Sequence, residues 1–303
     1  MTPGVPQSIE GLASYANAIV GVVLLFILGL LWLWRWSARH EAGIKSAWRR
    51  LVRQPRVEVL RERLRPQIAF VRARLSPHGY FGLQITIGAV ALIGASWLFG
   101  GISEDVLTGD PLTIVDEYIA TWFHARATPP VTQAMLVMSN LHGVVAISIY
   151  VTLLALYLLW KRDWYWLLCV ALTVPGGMLI NESMKQVFQR ARPHMEQPLM
   201  TLPSFSFPSG HVAGTALFYG VFGAMLISKI DIWRWRVLIV FTAIALVILV
   251  ALSRLYLGVH YFSDVVAAFA EAVAWLSLCL MGTHTYFRLR AEGLRKENFN
   301  VST

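Results

Sequence analysis

The stretch FPSGHVAGTALFYGVFGAMLIS, residues 207–228, joins two chemistries. From Val212 to Ser228 there is no acidic or basic side chain, yet a serine, a glycine and a histidine stand at the mouth of that run. Pro208 ends whatever precedes it. Ser209 has the side chain of an N-cap for a helix opening at Gly210 or His211. Taken alone this is local punctuation, and the surrounding chain decides what the run is for.

That chain is built for lipid. Of its 303 residues 56% are hydrophobic and 14% charged, against roughly a quarter charged in a soluble domain. Gly11–Trp34 and Gly79–Ser103 contain no ionisable side chain except Tyr15 and Tyr80. Each has the length of about 20 residues that a helix needs to cross a bilayer. Gly143–Trp160, Trp164–Ile180, Val212–Ser228, Val237–Leu252 and Val265–Tyr286 are further candidates, which makes one span standing apart and a block of six. The first run lacks a basic leader, since the first Lys or Arg is Arg35, and has no small-residue cleavage site after it. It reads as a retained transmembrane helix. The expected architecture is all-α, a polytopic membrane bundle with an extra N-terminal helix (residues 1–38), a basic linker (39–78), a six-helix unit (79–287) and a tail (288–303).

Charge asymmetry orients the bundle. Twelve Lys or Arg fall between Arg35 and Arg74, against Glu41, Glu58 and Glu62. The next connection, Gly101–His142, holds five acids and Arg126 as its one Lys or Arg. Lys161 and Arg162, then Lys229, Arg234 and Arg236, then Arg288, Arg290, Arg295 and Lys296 fall on the basic side. The chain therefore threads with its N-terminus outside and its C-terminus in the cytoplasm of a bacterial-type inner membrane. This topology accounts for most of the net charge of +9 without a nucleic-acid partner. In the linker, Leu60, Leu64, Ile68, Val71 and Leu75 recur at helical spacing among arginines, with Pro55 and Pro66 interrupting. That pattern suits a surface helix on anionic lipid; a docking surface for a protein partner is the alternative. Cys169 and Cys279 lie in apolar runs and read as small buried hydrophobes.

Two connections break the charge rule in the same place. Residues 181–211, NESMKQVFQRARPHMEQPLMTLPSFSFPSGH, and 253–264, SRLYLGVHYFSD, carry cations but fall on the outer side. A bound anion is the simplest reason to keep cations there. Lys185 and Arg192 are seven apart and share a face if the segment is helical. Arg254 suits paired contacts to phosphate oxygens. Ser209 offers a hydroxyl, and the Gly210 and His211 amides would open a helix, whose first amides lack partners and carry the positive end of the dipole. His260 and Asp264, four apart, would share a helical face. A carboxylate on one ring nitrogen leaves the other free as a nucleophile, and His211 from another helix would protonate a departing alkoxide. No metal-binding pattern is present, and no cofactor is implied.

These residues resemble a family pattern. Lys185 with Arg192-Pro193 gives K-x6-RP, Pro208–His211 gives PSGH, and Ser253–Asp264 gives SR-x5-H-x3-D. In this order the motifs resemble those of the type 2 phosphatidic acid phosphatase superfamily, which includes the vanadium-dependent haloperoxidases. The resemblance covers the six-helix unit. It implies His260 as nucleophile, Asp264 as its orienting partner and His211 as general acid, with Lys185, Arg192, Ser209, Gly210 and Arg254 holding the phosphate and no divalent metal. Together with the charge topology, it further implies hydrolysis of a lipid phosphate monoester or pyrophosphate at the outer, periplasmic face through a phosphohistidine. Phosphatidate, phosphatidylglycerol phosphate and undecaprenyl pyrophosphate are the candidate substrates, entering from the bilayer. A lipid phosphotransferase on the same fold is the alternative; a haloperoxidase or a membrane scaffold fits less well. Glu271, seven residues beyond Asp264 within the last span, and Glu182 beside Asn181 are ionisable groups at membrane depth and therefore candidates for supporting roles.

Overall fold

The computed structural model describes residues 80–109, 111–195 and 198–301, with scattered helical positions between Leu28 and Ser46. The expected first span and the basic linker otherwise lie outside the described residues. From Tyr80 onward the regular structure is all α-helix: α1 (Tyr80–Thr108), α2 (Pro111–His124), α3 (Pro129–Leu141), α4 (Val144–Trp160), α5 (Trp164–Phe188), α6 (Gly210–Lys229), α7 (Trp233–Tyr256) and α8 (Phe262–Val301). All six runs of the expected block are helical. α1, α5, α6, α7 and α8 are each long and apolar enough to cross a membrane. The shorter α4 completes a sixth span when joined to α3, from which it bends by 41° at His142–Gly143. The protein is a multi-pass membrane protein.

The α6 helix forms the centre of the bundle. Val212, Ala213, Leu217 and Val221 are buried, and α4, α5, α7 and α8 pack around it. Lipid tails are as apolar as leucine, so close packing at small residues has to hold such helices together. A Cβ at Gly220 of α6 would lie 2.5 Å from Leu276 Cδ2 of α8, and one at Gly176 of α5 would lie 2.9 Å from Trp275 Cζ2. Outside this core, large apolar side chains face outward, among them Trp97, Ile93, Val145 and Trp160. α1 runs along α8.

The connection Gly101–His142 is not a loop. α1 continues past Ser103 to Thr108, Gly109 ends it with φ +76°, and α2 and α3 follow. Asp116 and Ala120, one turn apart on α2, are buried, whereas Ile114, Tyr118 and Trp122 are exposed. Tyr256 at the end of α7 pins the start of α3, its hydroxyl accepting from Thr128 N at 2.8 Å.

At one end of the bundle α4, α5, α6 and α7 present Trp160, Lys161, Trp164, Lys229, Trp233 and Trp235. Lys229 pairs with Asp163 there at 2.9 Å, and Lys161 Nζ stands over the Trp160 ring. The opposite end gathers the C-termini of α5 and α7 and the N-termini of α6 and α8.

Candidate active site

Every residue singled out by the three motifs lies at that opposite end. Lys185 is in the last turn of α5, Gly210 opens α6, Arg254 is in the last turn of α7 and Asp264 is in the first turn of α8. Arg192 comes from the α5–α6 connection, and His260 from the short turn between α7 and α8. Two local expectations need correction. Lys185 and Arg192 do not share a helical face, because α5 stops at Phe188 and Gln189 turns left-handed at φ +45°. Arg192 returns over the site as part of the irregular α5–α6 connection, in which Pro193 disfavours helix in the residue before it. Likewise His260 precedes α8 instead of sharing its face with Asp264, and the two meet because Asp264 reaches back across the helix start.

Asp264 is fully buried and organises that start. Its Oδ2 accepts from Tyr261 N at 2.9 Å and faces His260 Nδ1 at 3.3 Å. On the other side of the ring, Arg192 Nη1 lies 3.2 Å from His260 Nε2. A guanidinium has donors only, so Nε2 is the acceptor and Nδ1 carries the proton toward Asp264. The lone pair therefore faces the cations. Complete burial pushes the His260 pKa down to about 4 despite the opposing pull of Asp264. Arg192 is itself held by Val259 O at 2.5 Å and by Ser204 O, Ser204 Oγ and Phe205 O at 2.7–3.0 Å. Burial lowers its pKa, with Asp264 opposing.

The end of the bundle that holds His260 also carries donors that have no partner among the described residues. Ser209 holds the N-cap position of α6, but its side chain makes no capping bond; its Oγ is buried with no hydrogen-bond partner among the described residues. The first hydrogen bond of α6 is from Ala213 N to Ser209 O at 3.0 Å, so the Gly210 and His211 amides precede the helical ladder. Arg254 is completely buried. Its Nη1 donates to Ser139 Oγ of α3, while Nε and Nη2 have no partner, and no acid lies within ion-pair distance of it among the described residues. A Cβ at Gly210 would meet Lys185 Nζ at 3.1 Å, so a side chain there would crowd the ammonium. His211 lies with its Nε2 against Gly143 at the α3–α4 corner, within electrostatic reach of Arg254, His260, Lys185 and Arg192.

Burying an unpaired cation and an unpaired hydroxyl costs several kcal/mol unless something compensates them. An anion with several acceptor oxygens supplies the missing partners. The arrangement presents three cations, a hydroxyl and two helix-terminal amides to such a group, with a neutral imidazole beside them.

Of the two membrane-depth acids, Glu271 is buried and accepts from Asn181 Nδ2 at 2.9 Å; Asn181 Oδ1 in turn faces Gly210. Glu182 is more than half exposed and lies 3.5 Å from Lys185 Nζ. Three polar residues at the site were absent from the sequence reading. Ser139 anchors Arg254, and Arg190 and Asp116 form ion pairs behind Asp264. The basic count in 181–211 exceeds what K-x6-RP uses, which is the one signal that pointed to Arg190.

Residues 164–288 match the PAP2 superfamily. Over 112 residues the chain is 33% identical to "Phosphatidylglycerophosphatase B" of Bacillus subtilis (strain 168), a match over 37% of this chain and 54% of that protein. The chain thus spans about half the length of that curated relative. The crystal structure described as the first transmembrane PAP2 type phosphatidylglycerolphosphate phosphatase, also from Bacillus subtilis, superposes with a TM-score of 0.58 at 24% identity. That superposition covers 64% of this chain and 96% of the other, and it shows a shared fold.

Proposed function

We propose that this chain, which carries a PAP2 superfamily domain, is a lipid phosphatase that hydrolyses a phosphate monoester or pyrophosphate through a phosphohistidine on His260. One observation carries the reading: at the end of the bundle that holds His260, the buried Ser209 hydroxyl and two nitrogens of the buried Arg254 have no hydrogen-bond partner among the described residues. In the first step His260 Nε2 attacks phosphorus, and the bond to the lipid oxygen breaks. His211 gives that oxygen its proton. Arg192 exchanges its contact with Nε2 for the phosphoryl oxygens, while Lys185, Arg254, Ser209 and the Gly210 amide bind charge that spreads over those oxygens in the transition state. Water then attacks phosphorus with neutral His211 as base. The phosphorus–nitrogen bond breaks and phosphate leaves. Asp264 holds the Nδ1 proton throughout.

Lipid reaches the site sideways. An apolar cavity of about 270 Å³ between α4, α5 and α6, lined by Ile147, Val151, Val174 and Met178, extends to Gly210 and offers room for an alkyl chain below the phosphate. The site lies at the end of the bundle away from Lys161, Lys229 and the tryptophan belt, which supports the outer, periplasmic face by the positive-inside rule. Phosphatidylglycerol phosphate is the first substrate to try, because the relative's name specifies that chemistry.

The test is phosphate release by the purified, detergent-solubilised protein with EDTA present, across phosphatidylglycerol phosphate, phosphatidate and undecaprenyl pyrophosphate. The expected result is release from at least one lipid, with a His260→Ala variant at least about 10³-fold slower, since nucleophilic catalysis is lost. Release from none of them, or an unimpaired His260→Ala variant, overturns the proposal; phosphate appearing only on an added acceptor lipid would make the protein a phosphotransferase.

A further inference from the structure

Arg190 is two residues from Arg192, yet it shares none of that residue's hydrogen-bond partners. Its Nη1 donates to Asp264 Oδ1 at 2.6 Å and to Ser263 Oγ at 2.7 Å, and its Nη2 donates to Asp116 Oδ2 at 2.8 Å. Asp116 closes the ring: its Oδ1 accepts from Ser263 N at 2.9 Å and its Oδ2 from Ser263 Oγ at 2.5 Å. Both carboxylates are completely buried, and Arg190 lies 4.3 Å above the Tyr261 ring. The Tyr261 hydroxyl donates to Glu117 Oε1, next to Asp116 on α2, at 2.8 Å. So α2, read from sequence as part of an acidic connection, grips the first turn of α8.

Asp264 has two oxygens with two different tasks. Oδ2 serves His260 Nδ1 and Tyr261 N, and Oδ1 serves Arg190. A carboxylate bound on one oxygen alone pivots about Cβ–Cγ. Bound on both, and held by a planar guanidinium that is itself fixed on Asp116, it has one orientation. We propose that Arg190 and Asp116 form a positioning device that clamps Asp264, and through it fixes the tautomer, direction and charge of His260. Neither residue touches the cradle. Arg190 also offsets the Asp264 carboxylate, so that the carboxylate orients the imidazole without drawing a second proton onto it. The charged and titratable groups around this unit are Asp116 and Glu117 from α2, Lys185 from α5, His211 from α6, Arg254 from α7, Arg192 from the α5–α6 connection, Tyr261 from the α7–α8 turn, and Asp264. Burial works against the charge on Arg190, but Asp264 and Asp116 outweigh it and hold its pKa above the ordinary value.

The inference rests on the proposed role of His260 as nucleophile, and the test separates the two. Phosphate release is measured against pH with the wild-type chain, Arg190→Gln, Arg190→Lys and Asp116→Asn, each first checked for a monodisperse, folded state in detergent. The wild-type acid limb of kcat/KM, which reports the free enzyme, is expected near pH 4, from His260. Arg190→Gln is expected to lose about 10²-fold in kcat from misplacement of the attacking nitrogen, with KM unchanged. Its acid limb moves up toward the ordinary imidazole value near 6.5, because an uncompensated Asp264 stabilises the imidazolium. Arg190→Lys keeps the charge but not the fork, so it loses kcat and leaves the limb in place. Asp116→Asn loses kcat without raising the limb, and it carries the test if Arg190→Gln does not fold. An unchanged kcat in Arg190→Gln, or a lost kcat with the limb at the wild-type pH, overturns the clamp. A wild-type chain that releases no phosphate overturns the reading of the site instead.

Discussion

Ser209 illustrates how a residue's position and its chemistry can part. Its place before α6 is that of an N-cap, and the sequence reads it so, but its hydroxyl is not spent on the helix. A cap normally contributes about 1 kcal/mol; here that contribution is absent and a buried hydroxyl is left unbonded. Ser209→Ala should therefore leave the melting temperature in detergent unchanged or slightly raised, since it removes an unsatisfied polar group. The same change should lower kcat/KM by about 10- to 100-fold, the value of roughly 1.5–3 kcal/mol for a hydrogen bond to a charged group. A fall in melting temperature with intact activity would return Ser209 to the role of an ordinary cap. The same logic covers Arg254, whose unpartnered nitrogens make no sense as structure and good sense as a receptor for oxygen.

The helices form for reasons visible in their composition, and they pack for reasons that are not. Uncharged runs place α1, α4, α5, α6, α7 and α8, but α5 and α7 outlast their runs by several residues and carry Lys185 and Arg254 in the added turns. Those turns are the ones that matter, because they bring the cations to the mouth of α6. The seat of α8 on α6 depends on Gly220. Gly220→Val should destabilise the bundle by about 1–3 kcal/mol, the usual cost of overpacking, read as a lowered melting temperature in detergent. Gly94→Val on α1, where nothing lies within 4 Å of the added Cβ, serves as the control and should change little. Equal effects at the two sites would mean that helix propensity, not interhelical contact, sets the cost.

Across the whole molecule, the polar ends differ in kind. One carries lysines, arginines and tryptophans suited to an anionic leaflet; the other carries cations turned inward around the cradle. This asymmetry predicts which side of the membrane each end faces. Single cysteines at Thr201 and Arg162, both exposed positions at opposite ends, are the probes, and Cys169 and Cys279 are buried. In spheroplasts, a membrane-impermeant maleimide should label Thr201→Cys directly and Arg162→Cys only after permeabilisation. The reverse pattern would place the site in the cytoplasm and overturn the periplasmic assignment.

The amino-acid sequence by itself determined that the chain is a helical membrane bundle, because apolar runs of spanning length have no other stable arrangement in lipid. It also marked the eight motif residues that gather at one end of the bundle, because the proposed phosphate chemistry calls for such side chains and the charge rule made their placement anomalous. Only the tertiary structure decided how they meet. Gln189 turned left-handed, Arg192 folded back onto His260, and Asp116 crossed 74 positions of sequence to reach Arg190. Periodicity records which face of an element is apolar, whereas contacts between distant elements are settled by packing. The support behind Asp264, built on a helix that read as a connection, therefore became visible only once α2 was seen lying against α8.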